Sequence, residues 1–400
     1  MSQSNPKRDV VIVGAARTPL GAFQGSLAPL TAQKLGAHAI KAAIERSGLK
    51  PEDIEQVVMG CVLQAGLGQN AARQATLFAG IPDSVPAHTV NKVCGSGMEA
   101  VIEAARAIEL DEIDVAVAGG MESMTNAPYL DPKARAGARM GNVTLIDAMV
   151  HDGLWDVYSD QHMGLCAEKC AEEQGFSRAD QDAFAKVSTE RAQAAQKNGA
   201  FAAEIAPIEV PQRKGPALLV SEDDGPKTAK PEKLPNLKPA FKKDGTITAG
   251  NASSISDGAA AVVLMSREKA EKEGRKILAV IRSFASHSRA PIDFTLAPIG
   301  ACQKALARAE LKPEDIDLFE INEAFCVVTM AAMKHLGLKH DNVNVNGGAC
   351  VLGHPIGASG TRILVTLIYA LMASGKKTGL ASLCIGGGEG LAMVIEREDA

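Results

Sequence analysis

"LKPEDIEQVVMG", residues 49–60, returns as "LKPEDIDLFEIN" at residues 311–322. The first six residues of the two copies are identical, and their surroundings match as well. An amphipathic run precedes each, "AQKLGAHAIKAAIERSG" and "PIGACQKALARAE". Each then passes through a β-like segment to a glycine-flanked turn that opens an apolar helix. These turns lie in "VNKVCGSGMEAVIEAARAI" and "GGACVLGHPIGASGTRILVTLIYAL". Both stretches close on a strand and glycines, "DVAVAGGMESM" and "GLASLCIGGGEGLAMVIE". Alternating strands and helices in two matched sets predict a duplicated αβαβ core of the α/β class, with the apolar helices sandwiched between sheets.

The region between the halves has a different character. It holds "DPKARAGARMG", helical stretches near 163–198, and a Pro-, Lys- and Asp-rich run reading as loop by its breakers. Its Lys and Arg suit either a solvated surface or a phosphate-bearing ligand. "TAGNASSISDGAAAVVLMS", residues 248–266, resumes the core. The division expected is residues 1–125 with 249–275 as one half, 126–248 as an inserted loop domain, and 276–400 as the other half.

Composition bounds the function. Apolar residues make up 46% and charged residues 22% of 400, so a large core is available. One Trp and three Tyr stand beside 38 Gly, so packing rests on aliphatic side chains and close backbone contact. A net charge of -5 with no polybasic stripe argues against a nucleic-acid partner. The longest uncharged apolar stretch, "ILVTLIYALMASG" at 363–375, falls short of the roughly 20 residues of a membrane span. The N-terminus shows no signal region and "EREDA" is not a peroxisomal address. Eight scattered cysteines are no secreted disulfide framework, which favours a reducing compartment, the cytoplasm.

Chemistry gathers in the turns. Cys94, in "NKVCGSGMEA", stands before an apolar helix, where orphan N–H groups favour a thiolate; a packed cysteine is the alternative. His354 lies in the glycine turn "GHPIGASG", Cys384 in the strand end "CIGGGEG", and Asn322 where the repeat's strand meets "NEAF". Cysteine with histidine makes an activated nucleophile able to form a thioester. A second thiol beside glycines whose N–H groups can hold an oxyanion fits a base better than a disulfide partner. Together they fit carbon–carbon bond formation or cleavage between thioesters. His162, Cys166 and Cys170 have a spacing that would share one helix face, but no matching fourth ligand accompanies them, so no metal is expected.

"NKVCGSGMEA", "GGMESMTNAP", "GNASSISDGAAA", "NEAF", "GHPIGASGTR" and "CIGGGEG" resemble, in that order and across almost the whole chain, the signature segments of the thiolase family. The resemblance implies a layered α-β-α-β-α arrangement with an inserted loop domain. "DGLWDVYSDQHMG", residues 152–164, is similar to the short-acyl branch of the family. The activity implied is reversible condensation of two acetyl-CoA to acetoacetyl-CoA and CoA. A broader-chain 3-ketoacyl-CoA thiolase of fatty-acid β-oxidation is the nearest rival.

By the same resemblance, Cys94, activated by His354, would take the acetyl group and Cys384 would remove the α-proton of the second acetyl-CoA. Asn322, through a water, and His354 would hold the enolate oxygen. The N–H groups of Cys94 and Gly386 would hold the tetrahedral intermediate. Leu154, His162, Met163, Ala249, Ser253 and Phe325 match positions lining the pantetheine and acyl end. No cofactor is implied, CoA being substrate and product, and no nucleic acid or membrane. A homotetramer built from dimers is implied by "YLDPKARAGARMGNVTLIDAM", residues 129–149. One loop departs from the family pattern: where an arginine and a serine commonly meet CoA, "SEDDGPKTAKPEKLP" offers Lys227 and Lys233.

Overall fold

The computed structural model describes residues 8–398. The first half contains β1 (Val10–Arg17), α1 (Ala32–Ser47), β2 (Gln56–Gly60), α2 (Ala71–Phe78), β3 (Ala87–Val90), α3 (Ser96–Glu109) and β4 (Val115–Ser123). After α4 (Met163–Gln174) and α5 (Arg178–Lys197), β5 (Ser256–Ser266) returns to it. The second half contains β6 (Ala279–Ser288), α6 (Ala297–Arg308), β7 (Leu318–Ile321), α7 (Cys326–Leu336), α8 (Ser359–Ser374), β8 (Thr378–Ile385) and β9 (Glu389–Glu396).

The repeat folds alike twice for a local reason. In each copy proline opens a short 3-10 turn whose third residue caps it: the Asp53 carboxylate accepts from the Lys50 N–H, and Asp315 from Lys312, both at 2.8 Å. The strand that follows enters the sheet in parallel, β2 beside β4 and β7 beside β8.

The strands run in the order β7-β8-β9-β6-β1-β5-β4-β2-β3, with Gly21–Ala22 paired to the start of β5. Outward from the central β1–β6 pair each side repeats itself: two antiparallel steps, then a parallel one. A single parallel bridge, Phe319 to Val343, stands beside β7 where β3 stands beside β2. The halves meet through Val11 opposite Val280 and Ile12 opposite Ala279.

Strand alternation distributes the core into layers. Val117 and Val263 face Leu35, Ile40 and Met59 under α1 and α2, whereas Ala116, Ala118, Val262 and Leu264 face α3 and α8. Leu383 and Met393 of the second half close on the same central helices, while Leu380 and Val394 turn outward to α6 and α7. The result is α-β-α-β-α. β1, β4 and β5 are buried along their whole length, which explains why they are apolar except near their ends, where Arg17, Glu122 and Asp257 stand. The uncharged run at 363–375 belongs to α8, an apolar helix buried in the middle layer. Among the described residues no helix is long and apolar enough to cross a membrane.

The central helices touch through glycine at their first turns. A Cβ on Gly97 would stand 2.7 Å from Thr361 Oγ1 and 3.0 Å from the Gly357 carbonyl oxygen, and one on Gly360 would stand 2.6 Å from the Met98 nitrogen. This contact sets the separation of the turns that precede the helices.

The Pro- and Lys-rich run that reads as loop contains a short hairpin, Ile208–Val210 with Leu218–Val220, and a helical turn, Asp224–Thr228. A buried ion cluster pins it to the core. Arg17, at the end of β1, bonds Glu204 at 2.6 Å and Asp223 at 2.7 Å, all three out of contact with solvent.

Candidate active site

Cys94 sits in the turn between β3 and α3, just outside the helix. Several short bonds hold that turn. Ser96 Oγ donates to the Val93 carbonyl at 2.6 Å and accepts from the Lys92 N–H at 2.9 Å, while Asn91 Oδ1 accepts from the Val93 N–H at 3.0 Å. Val93, β-branched, is held at φ +46°, a conformation it adopts only under constraint. The turn abuts the end of β8: a Cβ on Gly95 would stand 2.5 Å from Ile385 Cδ1.

Cys94 as a residue is partly exposed, and its side chain lines a cleft of about 550 Å³. The helix-terminus argument predicts a thiolate, and here the structure differs. Burial pushes the Cys94 thiol up to about 11, although the backbone N–H groups of Gly386 and of Cys94 itself oppose the shift. Desolvation outweighs the helix end, so the resting sulfur is protonated and needs a base.

His354 follows α7 in the second half, and its ring lines the same cleft. Its backbone N–H donates to the Ser254 carbonyl at 3.1 Å. Nδ1 lies 2.6 Å from Ser359 Oγ and 3.4 Å from Asn322 Nδ2, which leaves Nε2 for the cleft. Burial, then the charge of Arg362, depresses the imidazole to about 3, so it is neutral and can accept a proton. Asn322 caps no helix: α7 begins four residues later, and the amide Oδ1 instead accepts from Arg362 Nη2 at 3.4 Å.

Cys384 is fully buried at the end of β8, behind the cleft surface and near enough to Cys94 for that thiol to add, after burial, to the upward shift of Cys384. Burial holds its proton firmly. Gly386 lines the cleft with Met163 beside it. Leu154, His162, Met163, Ala249, Ser253 and Phe325 also line it; Lys227 does not. Lys227 is half-exposed and pairs with Glu222 at 3.1 Å.

Part of the cleft wall is aromatic. His162 stacks on Phe241 at 4.6 Å between ring centroids, and Phe325 meets both Phe241 and Phe294 edge-on. Phe241, Phe294, Met124 and Ile356 line the cleft and were not singled out from the sequence. A lone apolar residue carries no pattern that separates a cleft wall from core. The face expected for His162, Cys166 and Cys170 does not form, because His162 precedes α4 as its N-cap, with Nδ1 accepting from the Gly164 N–H at 3.0 Å. Among the described residues no three His, Cys, Asp or Glu side chains group as metal ligands.

Glu122, at the end of β4, went unnoticed in the sequence. Its carboxylate accepts from the N–H groups of Val62, Leu63 and Gly357 at 2.9 to 3.1 Å, tying the first half to the turn that carries His354. Burial raises it to about 7. The signal available was a lone acid in an otherwise apolar strand.

The thiolase N-terminal domain family matches residues 10–268 and the thiolase C-terminal domain family residues 275–397. An acetyl-CoA acetyltransferase of Cupriavidus necator is 52% identical over 98% of this chain and 100% of its own length. One from Pseudomonas aeruginosa is 51% identical over 98% and 100%. Among solved structures, the Acat5 thiolase from Ascaris suum in complex with coenzyme A superimposes with a TM-score of 0.93 at 46% identity, over 98% of this chain and 100% of that one. With both domain families matched along nearly its whole length, and with paired halves converging on one cysteine-lined cleft, the chain belongs to the thiolase family.

Proposed function

We propose that the protein is an acetyl-CoA C-acetyltransferase, joining two acetyl-CoA reversibly into acetoacetyl-CoA and CoA. One observation carries this reading: a thiol from one half lies at a cleft with a neutral imidazole from the other and a second, fully buried thiol close by. In the first step Cys94 Sγ attacks the acetyl carbonyl and its proton passes to His354. The C–S bond to CoA breaks, and the departing sulfur takes the proton of Cys384, leaving Cys384 as a thiolate and the imidazole of His354 protonated. In the second, the Cys384 thiolate takes the α-proton of another acetyl-CoA, the enolate carbon attacks the acetyl-enzyme, and the released Cys94 sulfur recovers its proton from His354. Thiolysis is the reverse. The N–H groups of Cys94 and Gly386, which lower the Cys94 thiol against its burial, suit the tetrahedral oxyanion, and Asn322 with His354 suits the enolate.

The apolar cleft of about 550 Å³ favours a short acyl group on a pantetheine arm, with Leu154, His162, Met163, Ala249, Ser253 and Phe325 as contacts. CoA is substrate and product in this reading, with Lys227 placed toward its phosphate end. Residues 1–125 with 249–275, and 276–400, serve as the two thiolase halves around an inserted domain. A homotetramer is supported by Tyr129, Met140, Val143 and Leu145, apolar side chains exposed on the segment about the Tyr129–Leu130 and Ile146–Asp147 pairing. Eight free cysteines favour the cytoplasm.

The test is thiolysis of four-carbon and longer 3-ketoacyl-CoA substrates by wild type, Cys94→Ala and Cys384→Ala. Four-carbon preference lost in both variants, with Cys384→Ala still forming acetyl-enzyme by mass, is the expected result. Equal turnover of long chains would move the assignment to the degradative class, and a folded wild type without thiolysis would refute it.

A further inference from the structure

Each central helix begins with the same dipeptide, Ser96-Gly97 on α3 and Ser359-Gly360 on α8. Both serines are fully buried. Ser96 disciplines the turn that carries Cys94, donating to the Val93 carbonyl and accepting from the Lys92 N–H. Ser359 donates in the corresponding way, to the Pro355 carbonyl at 2.9 Å, next to His354. Its free lone pair, however, faces no backbone N–H. It faces His354 Nδ1, at 2.6 Å.

A hydroxyl has a single proton. With that proton engaged by Pro355, the oxygen can meet Nδ1 only as an acceptor, so Nδ1 must carry hydrogen. The other neighbour of Nδ1, the Asn322 amide, turns Oδ1 to Arg362 Nη2 and offers the ring only its nitrogen, at the much longer 3.4 Å. The short contact decides. In a neutral imidazole a proton on Nδ1 leaves Nε2 with a bare lone pair.

We propose that Ser359 is a positioning residue for the acyl-transfer reaction, fixing His354 as the Nδ1–H tautomer with Nε2 unprotonated toward the cleft. The inference rests on the acyl-transfer reading of that cleft. Without Ser359 the ring is free to place its proton on Nε2, where it can donate to a substrate oxygen but cannot accept from Cys94.

The test is the tautomer of His354 in folded, substrate-free protein labelled with ¹⁵N-histidine, read from long-range N–H correlations and assigned by loss of the signal in His354→Gln. Wild type should show hydrogen on Nδ1. Ser359→Ala should shift hydrogen to Nε2 and slow acetyl transfer to Cys94 about 10²-fold with little change in KM. Ser359→Thr, which keeps the hydroxyl, should restore both. Hydrogen on Nε2 in wild type overturns the inference whether or not Ser359→Ala folds. An unchanged tautomer and rate in a folded Ser359→Ala also overturn it. A wild type with hydrogen on Nδ1 but no thiolysis refutes instead the acyl-transfer reading, and with it the role assigned to Ser359.

Discussion

Replacing Gly360 by alanine tests whether helix separation in the middle layer sets the active site. The new Cβ would stand 2.6 Å from the backbone nitrogen of Met98 and 2.7 Å from its Cβ, where ordinary contact begins at 3.4 Å. Backbone cannot rotate aside, so α3 and α8 must part by about 0.8 Å at that point. Overpacking of this kind costs about 1–3 kcal/mol. The functional cost should be larger in proportion, because Cys94 lies two residues before α3 and His354 five before α8. A misplacement near 1 Å between reacting groups can lose about 10²-fold in rate. Purified Gly360→Ala should therefore show a modestly lowered thermal midpoint and an acetoacetyl-CoA thiolysis rate down by about two orders of magnitude. Wild-type kinetics in a folded Gly360→Ala protein would show that the glycine contact does not fix the spacing of the turns that carry Cys94 and His354.

Arg17→Met should destabilise the fold by about 3–5 kcal/mol, since Glu204 and Asp223 lose the cation between them while remaining buried; denaturant unfolding checks this. Glu122 is raised from 4.5 to about 7, so the folded form holds its proton longer than the unfolded chain does. The associated stability is complete below pH 4.5 and falls by about 3 kcal/mol as pH rises to 7. Thermal melts at pH 5 and pH 8 should differ less in Glu122→Gln than in wild type; an equal difference would refute the assignment. Lys227→Ala should raise the KM for CoA by only a few-fold and leave kcat unchanged, because the lysine is half-exposed and outside the cleft; a collapse of kcat would contradict that.

The features legible in the sequence were those written in local chemistry. "LKPED" specifies its turn by proline and a capping aspartate wherever it occurs, so its recurrence exposes the duplication. Glycines around Cys94, His354 and Gly386 mark close backbone approach, and these three residues do line one cleft. What stayed hidden depends on burial by distant segments. The protonated state of Cys94 follows from enclosure, which helix-end reasoning does not count. The buried pairing of Arg17 with Asp223 spans some 200 positions and looks like surface charge in a Lys- and Asp-rich run. His162 showed metal-like spacing because periodicity cannot locate the helix start, one residue further on. Glu122 and Ser359 act through neighbours that only the assembled halves supply.

The position of β9 has a consequence for how the chain is made. Residues 389–396 are the last strand in sequence, yet they lie inside the sheet, between β8 and β6. Until that strand leaves the ribosome, β6 has only its short pairing with β1, and the apolar faces of α3 and α8 lack Leu391, Met393 and Ile395 against them. Non-local strand pairing is slow, and exposed apolar surface invites aggregation while it waits. The middle layer therefore stays open until those eight residues have emerged, and a truncation within them would leave a nascent chain that chaperones must hold without prospect of closure.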